Sequence, residues 1–182
     1  MQRTNDGGCI RGGTSWSGIS GEKSEAAKGN SDFWIVKLDA DGNIEWDKTF
    51  GGNSFEELRA IQQTNDGGYI VGGYSYSPAS GDKSEPNRGN CEDGFCSADY
   101  WVLKLDANGN MLWERTFGGN GSDELQSLRQ TTDGGFMLGG YSDSGISGDK
   151  SEANKGACDA SDCQMDYWVI KLNESGDKMW DK

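Results

Sequence analysis

Cysteines are the residues of this chain whose spacing most directly suggests chemistry. Four of the five form two C-x4-C pairs, Cys91 with Cys96 and Cys158 with Cys163. A disulfide within each pair would close a small loop and contribute at most about 2 kcal/mol. Alternatively, the four thiolates could share a zinc ion, although zinc sites usually converge locally and these pairs lie 67 residues apart. We expect disulfides and an oxidising compartment, with Cys9 left as a small apolar strand residue.

A second candidate site is a polar loop that occurs three times, at residues 17–25, 77–85 and 144–152. Each copy places an acidic residue three positions before a glutamate. Carboxylates and loop carbonyls are the ligands that calcium prefers. The candidate calcium ligands are Asp82, Glu85, Asp149 and Glu152. A solvated loop whose Asp and Ser side chains cap turn amides explains the same pattern, so calcium is a possible cofactor and no other is indicated.

Aromatic side chains form the third candidate site. Trp16, Tyr76 and Tyr141 lie at or just beyond the end of the second predicted strand of each repeat. Aromatic rings beside polar loops can stack on sugars or on side chains of a protein partner. Contacts between neighbouring repeats would account for them equally well. Trp34 and Trp46 recur with the strand pattern, which indicates core packing instead.

The composition limits the classes of function. The chain has no histidine, and its paired acids recur once per repeat, whereas an active site needs one asymmetric cluster. We therefore expect no enzymatic activity. The net charge of −13 disfavours nucleic acids and anionic membranes, whose phosphates would be repelled. No apolar run approaches the roughly 20 residues that a membrane helix needs, so we expect no membrane insertion.

Internal repetition dominates the organisation of the 182 residues. One tryptophan recurs every 67 residues, at Trp34, Trp101 and Trp168. The Asp-Gly-Gly motif recurs at positions 6, 66 and 133, so the first repeat is seven residues shorter. The missing segment is the one that carries the cysteine pairs in the other two. We divide the single domain into repeats at residues 1–52, 53–119 and 120–182, of which the first and last are incomplete.

Each repeat reads as four strands. In the second repeat these cover residues 57–64, 69–74 and 100–105 and a fourth strand from Met111, with turns at Asn65-Asp-Gly-Gly68 and Asp106-Ala-Asn-Gly109. The start of the first strand also fits a helical turn. A period of 60–67 residues suits one propeller blade with a long loop. We predict an all-β fold of β-propeller-type repeats, with three four-stranded antiparallel blades. A β-solenoid is the alternative.

The repeated motifs resemble those of β-propeller repeats in large secreted or cell-surface bacterial proteins, especially type IX secretion cargo. The matching stretches are residues 63–75 (QTNDGGYIVGGYS), 80–85 (SGDKSE), 100–106 (YWVLKLD) and 113–119 (WERTFGG). The resemblance covers nearly the whole chain and implies a secreted or surface location. It implies no catalytic residues, and the C-x4-C segments depart from the plain repeat.

Three blades cannot close a ring that needs about four or more. Either the chain belongs to a longer protein, or copies associate to complete a ring. We expect a non-enzymatic surface module for adhesion, recognition or scaffolding, with a protein or glycan as its ligand. The alternative is a glycan-binding lectin with one site per repeat, for which calcium is the candidate cofactor.

Overall fold

The computed structural model describes residues 1–92, 95–155 and 164–182. Their regular structure is β-strand throughout, with three four-stranded antiparallel sheets and a two-stranded hairpin. This confirms the prediction of an all-β fold with three such sheets, and no closed sheet is seen among the described residues. The same residues contain no helix long and apolar enough to cross a membrane.

The three sheets have the same strand order along the chain. Sheet 1 contains β1 (Gln2–Arg3), β2 (Cys9–Ser15), β3 (Asp32–Leu38) and β4 (Ile44–Phe50). Sheet 2 contains β5 (Glu56–Gln63), β6 (Tyr69–Ser75), β9 (Asp99–Leu105) and β10 (Met111–Phe117). Sheet 3 contains β11 (Asp123–Gln130), β12 (Phe136–Ser142), β13 (Asp166–Leu172) and β14 (Lys178–Asp181). The hairpin of β7 (Cys91–Glu92) and β8 (Phe95–Cys96) interrupts the long loop of sheet 2.

The Asp-Gly-Gly turn joins the first two strands of each sheet and is tied to the third. In sheet 2, Gly67 supplies the positive φ of 85° that the turn needs. The Asp66 carboxylate accepts hydrogen bonds from the Gly68 N–H and the Thr64 hydroxyl. Its other oxygen lies 2.8 Å from the buried ammonium of Lys104 on β9. This ion pair explains why a lysine lies within a mostly apolar strand, where its ammonium is buried.

The first strand of sheet 2 differs from the prediction at its start. The expectation of a helical turn there was wrong, because β5 is extended from Glu56 onward. Its register with β6 shifts between Leu58 and Ala60, which marks a β-bulge. The equivalent shift in β11 falls between Leu125 and Ser127. A bulge breaks the two-residue alternation, which is why the sequence pattern is irregular in this strand.

Two apolar clusters hold the sheets together, and sheet 2 lies between the other two. The first cluster joins sheets 1 and 2 through Ile10, Phe33, Ile35, Phe50, Tyr69, Val71, Trp101, Leu103 and Leu105. The second joins sheets 2 and 3 through Ile70, Tyr100, Val102, Phe117, Leu125, Leu128, Phe136, Leu138, Trp168, Ile170 and Leu172. The inner strands of sheet 2, β6 and β9, therefore contribute side chains to both clusters, and burial of this apolar surface drives the stacking.

The first glycine of the pair in the second strand lies where neighbouring sheets approach closely. A Cβ atom on Gly72 would lie 2.7 Å from the Leu125 side chain of the next sheet. A Cβ on Gly12 would likewise lie 2.9 Å from Leu58. The predicted close approach of backbone between neighbouring sheets is confirmed at these two positions.

Candidate functional site

The long loop after the second strand of each sheet has a fixed internal geometry. A serine and a lysine three positions later form an isolated β-bridge in every copy, at Ser20 and Lys23, Ser80 and Lys83, and Ser147 and Lys150. The intervening glycine has a positive φ in every copy, for example 58° at Gly81. The Lys83 ammonium is buried and donates to the Glu85 carbonyl oxygen. Burial lowers the pKa of Lys83 to about 8.

The acidic pair of the second loop is divided between two sheets. The Asp82 carboxylate accepts a hydrogen bond from Gly51 N–H at 3.1 Å and pairs with the Lys28 ammonium, both in the preceding repeat. The Glu85 carboxylate accepts from Thr116 N–H at 3.0 Å, on the outer strand of its own sheet. The two carboxylates therefore face different partners, and each is already held by hydrogen-bond donors.

The third loop repeats this arrangement. The Asp149 carboxylate accepts from the Arg88 guanidinium at 3.0 Å and from Gly118 N–H at 3.3 Å. The Glu152 carboxylate lies 2.5 Å from the Lys182 ammonium. Within the described part of the chain, no group of three or more acidic, cysteine or histidine side chains is placed to hold a metal ion. The calcium site stays a prediction, and the observed partners of these four acids are cations and backbone amides.

Carboxylates are also buried where the sheets meet. We call Asp32, Glu56, Asp99 and Asp123 the interface carboxylates, and all four are shielded from solvent. Glu56 accepts hydrogen bonds from the hydroxyls of Ser75 and Ser77 and from Gly52 N–H. A Cβ atom on Gly51 would lie 1.8 Å from Asp32 Oδ1 and 2.9 Å from Glu56 Oε2. Two carboxylates thus approach the same glycine from opposite sides of the interface.

Burial shifts the proton affinity of these groups. Removal from water, together with the charge of Asp123 across the interface, raises the pKa of Asp99 to about 7, although the hydrogen bond from Arg88 N–H opposes the shift. Burial raises the pKa of Asp123 to about 6, although hydrogen bonds from Gly119 and Ser144 oppose the shift. The pKa values of Asp32 and Glu56 are raised by burial as well. Each of the four carboxylates accepts a hydrogen bond from a backbone N–H close to a boundary between sheets.

The structure describes three of the five cysteines. Cys91 and Cys96 form the predicted disulfide, which closes the β7–β8 hairpin. The other predicted pair, Cys158 with Cys163, lies outside the described residues. Cys9 is a half-buried free thiol on β2, in a strand position as expected.

The three rim aromatics do not form one site. Trp16 is 67% exposed. Tyr76 is half-buried and packs edge-on against Tyr74, with ring centroids 5.9 Å apart. Tyr141 packs beside Tyr167, with ring centroids 5.4 Å apart. Each aromatic side chain therefore belongs to a different local surface.

Exposed apolar residues at the tips of the long loops were missed by the sequence reasoning. Ile19 and Ile146 occupy equivalent positions and are each 68% exposed. In the second loop this position is Ala79. An alignment of the three loops could have identified this position, because two of the copies have an isoleucine there and the third has an alanine, while the neighbouring residues are mostly polar.

Among the described residues, no neighbouring sheet covers one face of sheet 1 and one face of sheet 3. The open face of sheet 3 presents Tyr167, which is 79% exposed, together with Tyr141, Val169 and Trp180. A depression of about 390 Å³ lies on it beside Tyr141 and Tyr167. The open face of sheet 1 is formed by Arg11, Trp34, Val36 and Leu38. It borders a depression of about 420 Å³ that Glu22 and Ile44 also line.

No family model matches this chain, and no curated protein matches it. The resemblance to secreted propeller repeats therefore stays a prediction. What the chain does must be argued from its own surfaces.

Proposed function

We propose that this chain is a non-enzymatic recognition module of the β-propeller type, and that the tips of its long loops contact the ligand. Stacking of three four-stranded sheets through one repeated interface supports the propeller interpretation. The resemblance of the repeated motifs to secreted bacterial propellers points the same way. The polar groups that could suggest catalysis hold the sheets and loops in place instead.

One observation carries the proposal. The first loop exposes Trp16 and Ile19 on a frame that its own hydrogen bonds hold rigid. The Lys23 ammonium is buried in that frame and donates to the Glu25 carbonyl at 2.6 Å. The Glu25 carboxylate in turn accepts from Thr49 N–H at 2.8 Å. Exposed apolar side chains on a preorganised loop bind a partner with little loss of conformational entropy.

Binding of the fluorescently labelled chain to intact bacterial and mammalian cells tests this proposal. We expect saturable binding that Trp16→Ala and Ile19→Ser each weaken at least tenfold. Leu112→Ser is the matched control, because Leu112 is 58% exposed but lies on the outer strand of sheet 2, outside the loops. Equal loss in the control variant, or clear turnover of glycoside substrates by the wild-type chain, would refute the proposal.

A lectin is the second candidate, favoured by the exposed indole of Trp16 and by the Tyr141–Tyr167 pair beside its depression. Aromatic rings stack on the apolar faces of sugars. A glycan array, probed with and without a calcium chelator, separates the two candidates. Binding to defined sugars that is lost in Trp16→Ala or Tyr141→Ala supports a lectin, and loss on chelation would add calcium. If the chain binds no sugar on the array, a protein ligand is the remaining candidate.

We further propose that the chain works outside the cell or at its surface. The Cys91–Cys96 disulfide supports this location, because reduced cytosolic conditions rarely preserve such a bond. Counting free thiols in the protein isolated from its natural source tests it. One free thiol means that both predicted disulfides are formed, whereas five would contradict an oxidising location.

A further inference from the structure

We propose that the open face of sheet 3 docks onto the open face of sheet 1 in a second copy of this chain, so that two copies close a ring of six sheets. The two internal interfaces provide the template. Sheet 2 uses one face toward sheet 1 and the opposite face toward sheet 3. The faces left over at the two ends are the two halves of that same interface. The proposal does not depend on what the loops recognise.

Aromatic packing is the first matching contact. At each internal interface a ring on the third strand packs on a tryptophan of the next sheet with centroids 5.0 Å apart, Phe33 on Trp101 and Tyr100 on Trp168. On the open faces, the residue equivalent to Phe33 and Tyr100 is Tyr167 of sheet 3, which is exposed. The residue equivalent to Trp101 and Trp168 is Trp34 of sheet 1, which is half-buried. The Tyr100 hydroxyl also donates to the Trp168 carbonyl at 3.0 Å. Tyr167 carries the same hydroxyl and can donate to the backbone of Trp34 in the second copy.

The ion pair that links the loops is the second matching contact. A cation of one repeat pairs with an acid of the next at both internal interfaces, Lys28 with Asp82 and Arg88 with Asp149. The next members of the series are Lys155 in repeat 3 and Glu22 in repeat 1. Both side chains are exposed, and within the described residues neither makes a salt bridge. Lys155 and Glu22 therefore carry opposite charges at the two ends of the stack of sheets, in the positions equivalent to the internal ion pairs.

A tryptophan that covers a turn glycine is the third matching contact. The indoles of Trp46 and Trp113 lie against Gly109 and Gly176, where an added Cβ would come within 2.9 Å and 3.1 Å of the ring. The equivalent tryptophan of sheet 3, Trp180, has no neighbouring sheet to cover it and is 43% exposed. The equivalent glycine of sheet 1 is Gly42, and no atom lies within 4 Å of its added Cβ. Docking would place Trp180 over Gly42.

Two residues of sheet 1 differ from their equivalents in sheets 2 and 3 and make the proposed contact weaker than the internal ones. Arg11 stands where Val71 and Leu138 are buried, and Cys9 stands where Tyr69 and Phe136 are buried. Burying the Arg11 guanidinium costs free energy unless it reaches the rim or stacks on the ring of Tyr167. The association is therefore reversible and depends on protein concentration.

The number of copies follows from closure. Docking of one face onto a different face is a heterologous contact, which forms a ring only if the rotation closes. Propellers close with about four to eight blades. Two copies of a three-sheet chain supply six, within that range, and three copies supply nine, beyond it. We therefore expect a dimer and no higher assembly.

Sedimentation velocity of the full chain from about 1 to about 100 µM tests the proposal, because a weak heterologous interface would dissociate in that range. We expect the mass to rise from the 19.7 kDa of one chain to a plateau at twice that value. Glu22→Lys and Lys155→Glu should each weaken dimerisation roughly tenfold, since like charges would then face each other. The double variant should restore it, which a folding defect in either single variant would not allow.

Two further variants address the apolar part of the interface. Gly42→Asn should prevent dimerisation, because asparagine tolerates the positive φ of 87° while its side chain blocks Trp180. Arg11→Val should strengthen dimerisation roughly tenfold, because sheets 2 and 3 carry apolar residues there. A wild-type chain that stays monomeric throughout would overturn the proposal, even if Arg11→Val dimerises. Growth without a plateau, or dimers unaffected by all of these variants, would overturn it as well.

Discussion

Replacement of Asp99 by asparagine should stabilise the protein at neutral and alkaline pH. The Asp99 side chain is completely shielded from solvent between sheets 2 and 3. Its Oδ2 atom accepts a hydrogen bond from Arg88 N–H at 2.6 Å, whereas its Oδ1 atom has no hydrogen-bond partner among the described residues. An asparagine has the same shape, keeps the acceptor for Arg88 and supplies an amide donor. It also removes a charge that burial opposes.

The expected size of the effect follows from the pKa of Asp99, which burial raises to about 7 from the ordinary value of 3.8. The folded protein therefore binds this proton more tightly than the unfolded chain. The contribution to stability is fully present below pH 3.8 and is lost as the pH rises through about 7. Between about pH 4.5 and pH 8 the loss amounts to about 3 kcal/mol, since one pKa unit corresponds to about 1.4 kcal/mol.

Urea unfolding of the wild-type protein and of Asp99→Asn across this pH range measures the effect. The other carboxylates are present in both proteins, so their titration largely cancels in the difference. The stability advantage of the variant should widen by about 3 kcal/mol from pH 4.5 to pH 8. Asp106→Asn is the matched control, because hydrogen bonds from Asn110 lower the pKa of Asp106, and its substitution should destabilise instead. A difference between Asp99→Asn and wild type that does not change with pH would refute the reasoning.

Two further predictions concern the same interface and the hairpin. Gly118→Ala should destabilise the protein by about 2 kcal/mol or more in thermal unfolding, because the added Cβ would lie 2.3 Å from the Asp99 carboxylate. Gly13→Ala is the control, because its added Cβ would have no atom of the described residues within 4 Å. Replacing Cys91 and Cys96 with serine should lower the free energy of unfolding by about 2 kcal/mol, the entropy of a small closed loop. Adding a reductant to the wild-type protein should lower it at least as much, because the reductant would also open the predicted Cys158–Cys163 disulfide.

The strands could be predicted from the sequence because two signals agree within every repeat. The Asp-Gly-Gly turns and the alternation of aromatic and β-branched residues located strands such as β6 and β9 to within one residue. The bulge in β5 was not predicted, since an extra residue in one strand disrupts the alternation by which a strand is recognised. The pairing of the buried Lys104 with the exposed Asp66 also escaped prediction, although both residues recur in every repeat.

The candidate site was harder to predict, because the same residue types serve binding and architecture. The loop acids Asp82 and Glu85 have the composition of a calcium site, yet in the structure they hold neighbouring elements through amides and a lysine. Their spacing in the sequence gives no information on which element each carboxylate faces. Tyr167 occupies the strand position of the buried Tyr100, yet it is exposed, because no further sheet among the described residues covers this face of sheet 3.

Recognition should therefore depend on positions where the copies differ and the side chain is exposed. Residues shared by all three loops, such as the bridged Ser80 and Lys83, are needed wherever one sheet stacks on another, so they are constrained by the fold. The position of Trp16 is a tyrosine in the second loop and an aspartate in the third. The position of Ile19 varies in the same way. Trp16 and Ile19 are exposed in the first loop, whereas in the other loops Tyr76 packs on Tyr74 and the Asp143 carboxylate accepts a hydrogen bond from Ser122 N–H. Each loop therefore presents a different surface for a ligand while its frame stays the same.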